Sequence, residues 1–150
     1  IKRKFLTTGS GVACCMANHQ KTLTLEAAQW CEETADYVGQ SLQHATIQNV
    51  RKQVEAGHAK AFHIKASGQI VGAFVLRVDE FDTHGEGVIV AAAAKLDGVD
   101  MVGSVIPAIE QMFTNCSRIR YHTASAALAR KMRAMGYQAR EIVCMKELDK

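Results

Sequence analysis

Proline occurs once in the 150 residues, as Pro107, and no apolar run approaches the ~18 residues that a membrane-spanning helix needs. With no Pro/Gly-rich linker, repeat or low-complexity tract to divide the chain, one domain over residues 1–150 is expected. Aromatic residues make up only 6% of the chain, without the stacked platforms that single-stranded nucleic acid requires. The net charge of +3 is too small to imply nucleic acid by itself. Metal-ligand spacing is also missing. The five cysteines form no C-x-x-C pair, and His19, His44, His58 and His63 show no ligand spacing with one another or with a carboxylate, so no metal is assigned. Adjacent Cys14 and Cys15 make a strained disulfide. All five cysteines are read as reduced thiols, mostly small core residues. The opening Ile1-Lys2-Arg3-Lys4-Phe5-Leu6 has the positive start of a signal peptide. Thr7-Thr8-Gly9-Ser10-Gly11 interrupts it at once, so no secretory apolar region follows and a cytoplasmic location is expected.

What is present is the composition of a globular domain: 48% apolar and 22% charged residues, enough to bury a core. Charge is unevenly placed. Asp79, Glu80, Asp82 and Glu86 cluster mid-chain, while Arg118, Arg120, Arg130, Lys131, Arg133 and Arg140 crowd the last third. That asymmetry suits an anionic ligand or a solvated basic face.

Gly9 and Gly11 favour a turn, and residues 12–17 form a candidate buried strand. Thr24 is a suitable N-cap for a helix through Leu25, Ala28, Cys31, Ala35 and Val38, ending at Gly39. Trp30 is expected to anchor its packing. Thr46 caps a second helix whose Ile47, Val50 and Val54 recur at helical spacing, with Gly57 in the left-handed C-terminal position. The period then changes to two. Phe62, Ile64 and Ala66 alternate with His63 and Lys65, Ser67-Gly68 turns the chain, and residues 69–78 make a second strand. A polar loop over 79–87 leads to a third strand, 88–94, with four consecutive alanines. A helix follows through Val105, Ile109, Met112 and Phe113, for which Ser104 as N-cap would put Pro107 in the first turn. Residues 118–123 alternate as a strand, Ser125 caps a basic helix that stops at Gly136, and 141–148 alternate as a last strand.

The order helix, helix, three strands, helix, strand, helix, strand resembles the GNAT N-acetyltransferase superfamily. The stretch from Ser125 to Gly136-Tyr137 looks like that family's late helix, which ends in Gly followed by an aromatic residue. The Gly68-Gln69-Ile70-Val71-Gly72 hairpin resembles its G-x-x-V/I-G strand start. The resemblance implies an α/β fold with a mixed, mostly antiparallel central sheet flanked by helices, acyl-CoA N-acyltransferase-like. It also implies acetyl-CoA as cofactor and an amine as acceptor. The family's pyrophosphate loop, Q/R-x-x-G-x-G/A, corresponds to residues 95–100. Lys95 stands at the basic position and Gly98 at the first glycine, while Asp100 replaces the last small residue. Carboxylates there repel a pyrophosphate unless they point away. Ala93, Lys95, Gly98, Val99, Met101, Gly103, Ser125 and Arg130 are the cofactor-binding candidates that the resemblance implies, with Lys131 beside Arg130.

Acyl transfer to an amine needs a base for the amine and an acid for the leaving thiolate. The family's tyrosine position in the late helix is Met132 here, which donates no proton, and its asparagine position is Ser125. Tyr121, His122 and Glu86 are the catalytic candidates instead, with His84 as a further base. Two other classes of function compete. One is a GNAT-fold protein without catalysis, a binding or structural component with protein partners. The late helix is similar to that of small GNAT-like proteins carried by phages and prophages, which implies association with a virion. The other is nucleic-acid binding through the basic C-terminal third, which the aromatic content opposes.

Overall fold

The computed structural model describes residues 12–16, 22–42 and 45–149. A single mixed sheet of six strands, in the order β1-β2-β3-β4-β5-β6, runs through them. The strands are β1 (Val12–Met16), β2 (Thr22–Ala28), β3 (Lys60–Ala66), β4 (Gln69–Glu80), β5 (Gly85–Ala94) and β6 (Arg118–Tyr121). All neighbours pair antiparallel except β5 and β6, which are parallel. The helices are α1 (Glu32–Gly39), α2 (Ile47–Glu55), α3 (Met101–Met112) and α4 (Ala126–Ala134). The mixed, mostly antiparallel sheet with flanking helices is the architecture expected above. No helix among the described residues is long and apolar enough to cross a membrane. The turn at Gly9 and Gly11, Ala17, and the side chains of Cys14 and Cys15 lie outside the described residues.

Two apolar clusters hold the helices to the sheet. The larger joins Leu23, Leu25, Phe62, Ile64, Phe74, Leu76 and Ile89 of the strands to Val105, Ile106, Ile109 and Met112 of α3 and Met132 of α4. Phe62 and Phe74 stack there across the β3–β4 ladder at 4.9 Å. The smaller joins Val38 of α1 and Val50 of α2 to Ala61, Val75 and Ala91, with Trp30 packed against it as expected. Because strand side chains alternate in direction, the two clusters occupy opposite sides of the sheet.

Several element assignments need correction. The helix expected from Thr24 is a strand up to Ala28. Leu23 and Leu25 are both fully buried while Thr24 and Glu26 are not, and Leu25 and Glu26 face Ile64 and His63 on β3. Period-two burial and ladder pairing outweigh the residues' helical spacing, and α1 begins only after Cys31. Its partner α2 follows the expectation, with Thr46 accepting the Asn49 N–H at 3.2 Å and Gly57 at φ +76°. The third strand begins at Gly85, three residues earlier than expected. α3 is capped by Asp100 rather than Ser104. The Asp100 carboxylate accepts the Gly103 N–H at 3.1 Å, and its carbonyl accepts the Ser104 N–H. Pro107 therefore lies inside the helix, at the position that leaves the Gly103 carbonyl without its usual donor. Among the described cysteines, Cys31 and Cys116 are half-buried and Cys144 is exposed, so none is fully buried, although Cys116 packs against the larger cluster.

The last expected strand is absent. Residues 141–148 form no regular element, and Ile142 is 93% exposed. Alternation by itself does not make a strand; the segment has no sheet edge paired with it. Tyr137, by contrast, ties the end of α4 to α3 through a 3.0 Å bond from its hydroxyl to Glu110 Oε1. Burial and the Glu110 charge hold that phenol well above the ordinary tyrosine range.

The β4–β5 ladder is tightest at Gly72. A Cβ placed there would lie 2.4 Å from the Ala94 Cβ and 2.7 Å from the Ala93 carbonyl oxygen. Gly72→Ala is expected to destabilise the fold by about 1–3 kcal/mol, because backbone rather than a flexible side chain must move. Urea denaturation checks this.

Candidate functional site

β5 and β6 pair over four residues only, from Glu86↔Arg118 to Ile89↔Tyr121. Beyond that point β5 runs on to Ala94 while β6 stops, which leaves one edge of β5 without a strand partner among the described residues. The cause lies in β5 itself. Its register to β4 passes from Ile89↔Leu76 to Ala91↔Val75, so Val90 is an extra, unpaired residue. A bulge of this kind bends the strand and increases its twist, and it falls where the β6 pairing ends.

The open edge presents backbone groups. Lys95 donates its N–H to Val71 at 2.9 Å, toward β4. In an antiparallel ladder the direction alternates, so Ala91 and Ala93 also face β4 while Ala92 and Ala94 face the opening. The Ala92 N–H is taken by the Ser41 hydroxyl, 3.0 Å away, from the turn after α1. Ser41 in turn lies 3.4 Å from the Val38 carbonyl.

Residues 95–100 connect the open end of β5 to α3. Gly98 adopts φ +75°, with open space where a side chain would begin. Only glycine takes this conformation readily. The first-turn N–H groups of Met101 and Val102 have no acceptor within the helix, as at any helix start, and the positive end of the helix dipole lies there. The Asp100 carboxylate fills part of that position. Its Oδ2 would sit 2.5 Å from a Cβ on Gly103, and its Oδ1 is 3.6 Å from Lys131 Nζ on α4.

The expected site residues divide between two ends of the sheet. Ala93, Lys95, Gly98, Val99, Met101 and Gly103 lie on the open half of β5 and the start of α3. Arg130 and Lys131 are exposed on α4, and the Ser125 hydroxyl is engaged as the α4 cap, accepting the Leu128 N–H at 3.2 Å. Tyr121 is the last paired residue of β6, and burial raises its phenol pKa. His122 follows it, exposed. Glu86 and His84 sit at the other end of β5, away from the opening. Glu86 is 2% exposed. Its Oε2 is held by Arg118 Nε, and its Oε1 lies 3.0 Å from Arg120 Nη1. His84 stacks on Phe81 at a centroid distance of 5.0 Å. No group of metal-ligating side chains occurs among the described residues.

Sequence reasoning missed Ser41 and the bulge at Val90. Neither carries a local signal, since both are defined by what β4 and the α1–α2 turn bring against β5.

No protein-family model and no curated protein sequence matches the chain. Solved structures do. An acetyltransferase from Trypanosoma brucei superimposes with a TM-score of 0.59 at 15% identity, over 84% of this chain and 99% of that one. A putative acetyl transferase from Pyrococcus furiosus gives 0.59 at 14% identity, over 84% and 99%. An aminoglycoside acetyltransferase from an uncultured soil metagenomic sample, in complex with sisomicin, gives 0.57 at 14% identity, over 85% and 96%. At these identities the likeness establishes the fold: the chain has the architecture of acetyltransferases.

Proposed function

We propose that the chain is an N-acyltransferase that moves an acyl group from a coenzyme A thioester to an amine. The observation that carries this reading is the opening between β5 and β6, with an unpaired backbone edge on one side and the start of α3 at its end. The residues present fit the donor. Gly98 and the Met101 and Val102 N–H groups, with Lys95, Arg130 and Lys131, would hold the phosphates. Backbone groups of Ala92 and Ala94 would hold the thioester arm. The coenzyme supplies an activated acyl carbonyl. Tyr121, kept protonated by burial, serves as the proton donor for the leaving sulfur, and His122 takes the proton of the attacking amine. Glu86 is given no proton-transfer role, since both its oxygens face arginines.

A second reading, a binding protein of the same fold without catalysis, is favoured by one feature: Asp100 and Ser41 already occupy donors that a coenzyme would use. Association with a phage particle is a special case of it, checked by co-sedimentation with particles.

Calorimetric titration with acetyl-CoA separates the two. Binding by the wild type that Gly98→Asp removes supports the acyltransferase. Absence of binding at millimolar acetyl-CoA, in both the wild type and Asp100→Ala, would sink it. Asp100→Ala is expected to tighten acetyl-CoA binding about tenfold, because it removes a like charge from the phosphate position and releases Lys131. The same change costs about 1 kcal/mol of stability through loss of the α3 cap.

A further inference from the structure

A second cluster of reactive side chains lies on the α1 side of the sheet, on elements that the opening does not use. Alternation along β3 directs Ala61 and His63 toward α1 and α2, and the first turn of α1 lies over His63. Thr34 is fully buried and His63 is 8% exposed, so the pair is screened from bulk water. The Thr34 hydroxyl is 2.8 Å from His63 Nε2. Cys31 Sγ is 3.2 Å from that hydroxyl and 3.6 Å from the same ring nitrogen.

Cys31 is the N-cap of α1, yet its side chain makes no cap hydrogen bond. A residue present only to cap would turn its side chain to the N–H groups of the first turn. This sulfur is turned to Thr34 and His63 instead, and it also meets the Glu33 carboxylate. The charged groups that bear on the imidazole are Glu33 on α1, Lys65 on β3 and Glu26 on β2. Burial, then Lys65, lowers the His63 pKa, so one ring nitrogen is a free base at neutral pH. A cleft of about 580 Å³ lies next to the chain neighbours of the cluster, though Cys31, Thr34 and His63 do not line it. Its walls include Trp30, the residue before Cys31, and Ala61, on the same side of β3 as His63. The thiol is half-buried rather than sealed.

We propose that Cys31 is a nucleophilic thiol that exchanges with low-molecular-weight disulfides, with Thr34 and His63 as its proton relay. The thiol proton passes to the Thr34 oxygen as the Thr34 hydroxyl proton passes to His63 Nε2. The sulfur then attacks one sulfur of the disulfide, forming a new S–S bond and breaking the old one. The leaving thiolate takes its proton from His63. The product is a mixed disulfide on Cys31 and one free small thiol, with no net oxidant consumed beyond the disulfide itself. This exchange uses no residue of the acyl-transfer site.

The test uses the full chain and 5,5′-dithiobis(2-nitrobenzoate) as the disulfide, with peptide mass mapping to follow each cysteine. Exposed Cys144 is the internal reference. Cys31 is expected to react about tenfold or more faster than Cys144, since relay to a base contributes on that order or above. Thr34→Val and His63→Gln should bring Cys31 to the Cys144 rate without changing Cys144. The wild-type ratio should rise as pH falls from about 8.5 toward neutrality, because an unassisted thiol loses its reactive thiolate while His63 remains a free base. A wild-type ratio near one overturns the proposal whatever the variants do. So does a ratio unchanged across pH or in folded variants, with folding verified by circular dichroism.

Discussion

Glu86→Ala is expected to lower stability by about 2 kcal/mol, the effect of losing the contacts to Arg118 and Arg120 and leaving a space where a buried side chain stood. Glu86 stands at the meeting point of three strands. It faces Asp79 on β4 and Arg118 on β6 in the two ladders. Its carboxylate holds Arg118 and Arg120, and Arg120 also reaches Asp79 Oδ2 at 3.3 Å. Asp79 is bound by Arg77, which extends the chain of charges to Gln53 on α2 at 3.0 Å. Removing Glu86 leaves Arg120 with Asp79 as its carboxylate partner and with its Nε still buried without an acceptor. It also removes the side-chain ties that reinforce the short β5–β6 ladder. Arg118→Ala should cost far less, because the Arg118 side chain is 59% exposed and Glu86 keeps Arg120. Urea denaturation of the two variants measures the difference. Equal losses would show that burial of Glu86 does not decide the effect.

Tyr121→Phe is expected to reduce kcat for acyl transfer by about 10²-fold or more, the usual contribution of a positioned proton donor. The ring is retained, so packing against the α3 cluster and the end of the β5–β6 ladder should persist. Acetyl-CoA affinity should therefore change little, which separates loss of a proton donor from loss of the site. Thiol release with an amine that the wild type accepts reads kcat, and calorimetry reads affinity. Burial raises the phenol pKa, so the donor form persists above pH 10 and the high-pH limit of the rate should not come from Tyr121. Wild-type kcat in Tyr121→Phe would remove it from the mechanism.

The pattern of residues made the second half of the fold readable. Period-two alternation placed β3, and the apolar run after the Ser67-Gly68 turn placed β4. Thr46 and Ser125 marked the starts of α2 and α4 because a hydroxyl acts on the N–H groups three residues away, within the reach of local sequence. The failures had the opposite character. Leu25 and Ala28 suit a helix as well as a strand, and pairing with β3 decides between them. Residues 141–148 carry strand alternation without an edge to pair with. In the sequence Asp100 is a substitution inside a phosphate-type loop, and its role as the α3 cap depends on how the loop turns at Gly98.

The candidate site divides in the same way. The loop from Lys95 to Asp100 and the Gly136-Tyr137 helix end were visible as motifs, since each is a short run with its own backbone requirement. By itself the sequence determined an α/β domain of alternating strands and capped helices, because periodicity and capping are local physics. Only the tertiary structure decided where that domain opens, that Ser41 meets Ala92, that Glu86 is an anchor between arginines, and that Cys31 meets His63. Those contacts join residues from 32 to 51 positions apart, and nothing short of the packed sheet brings them together.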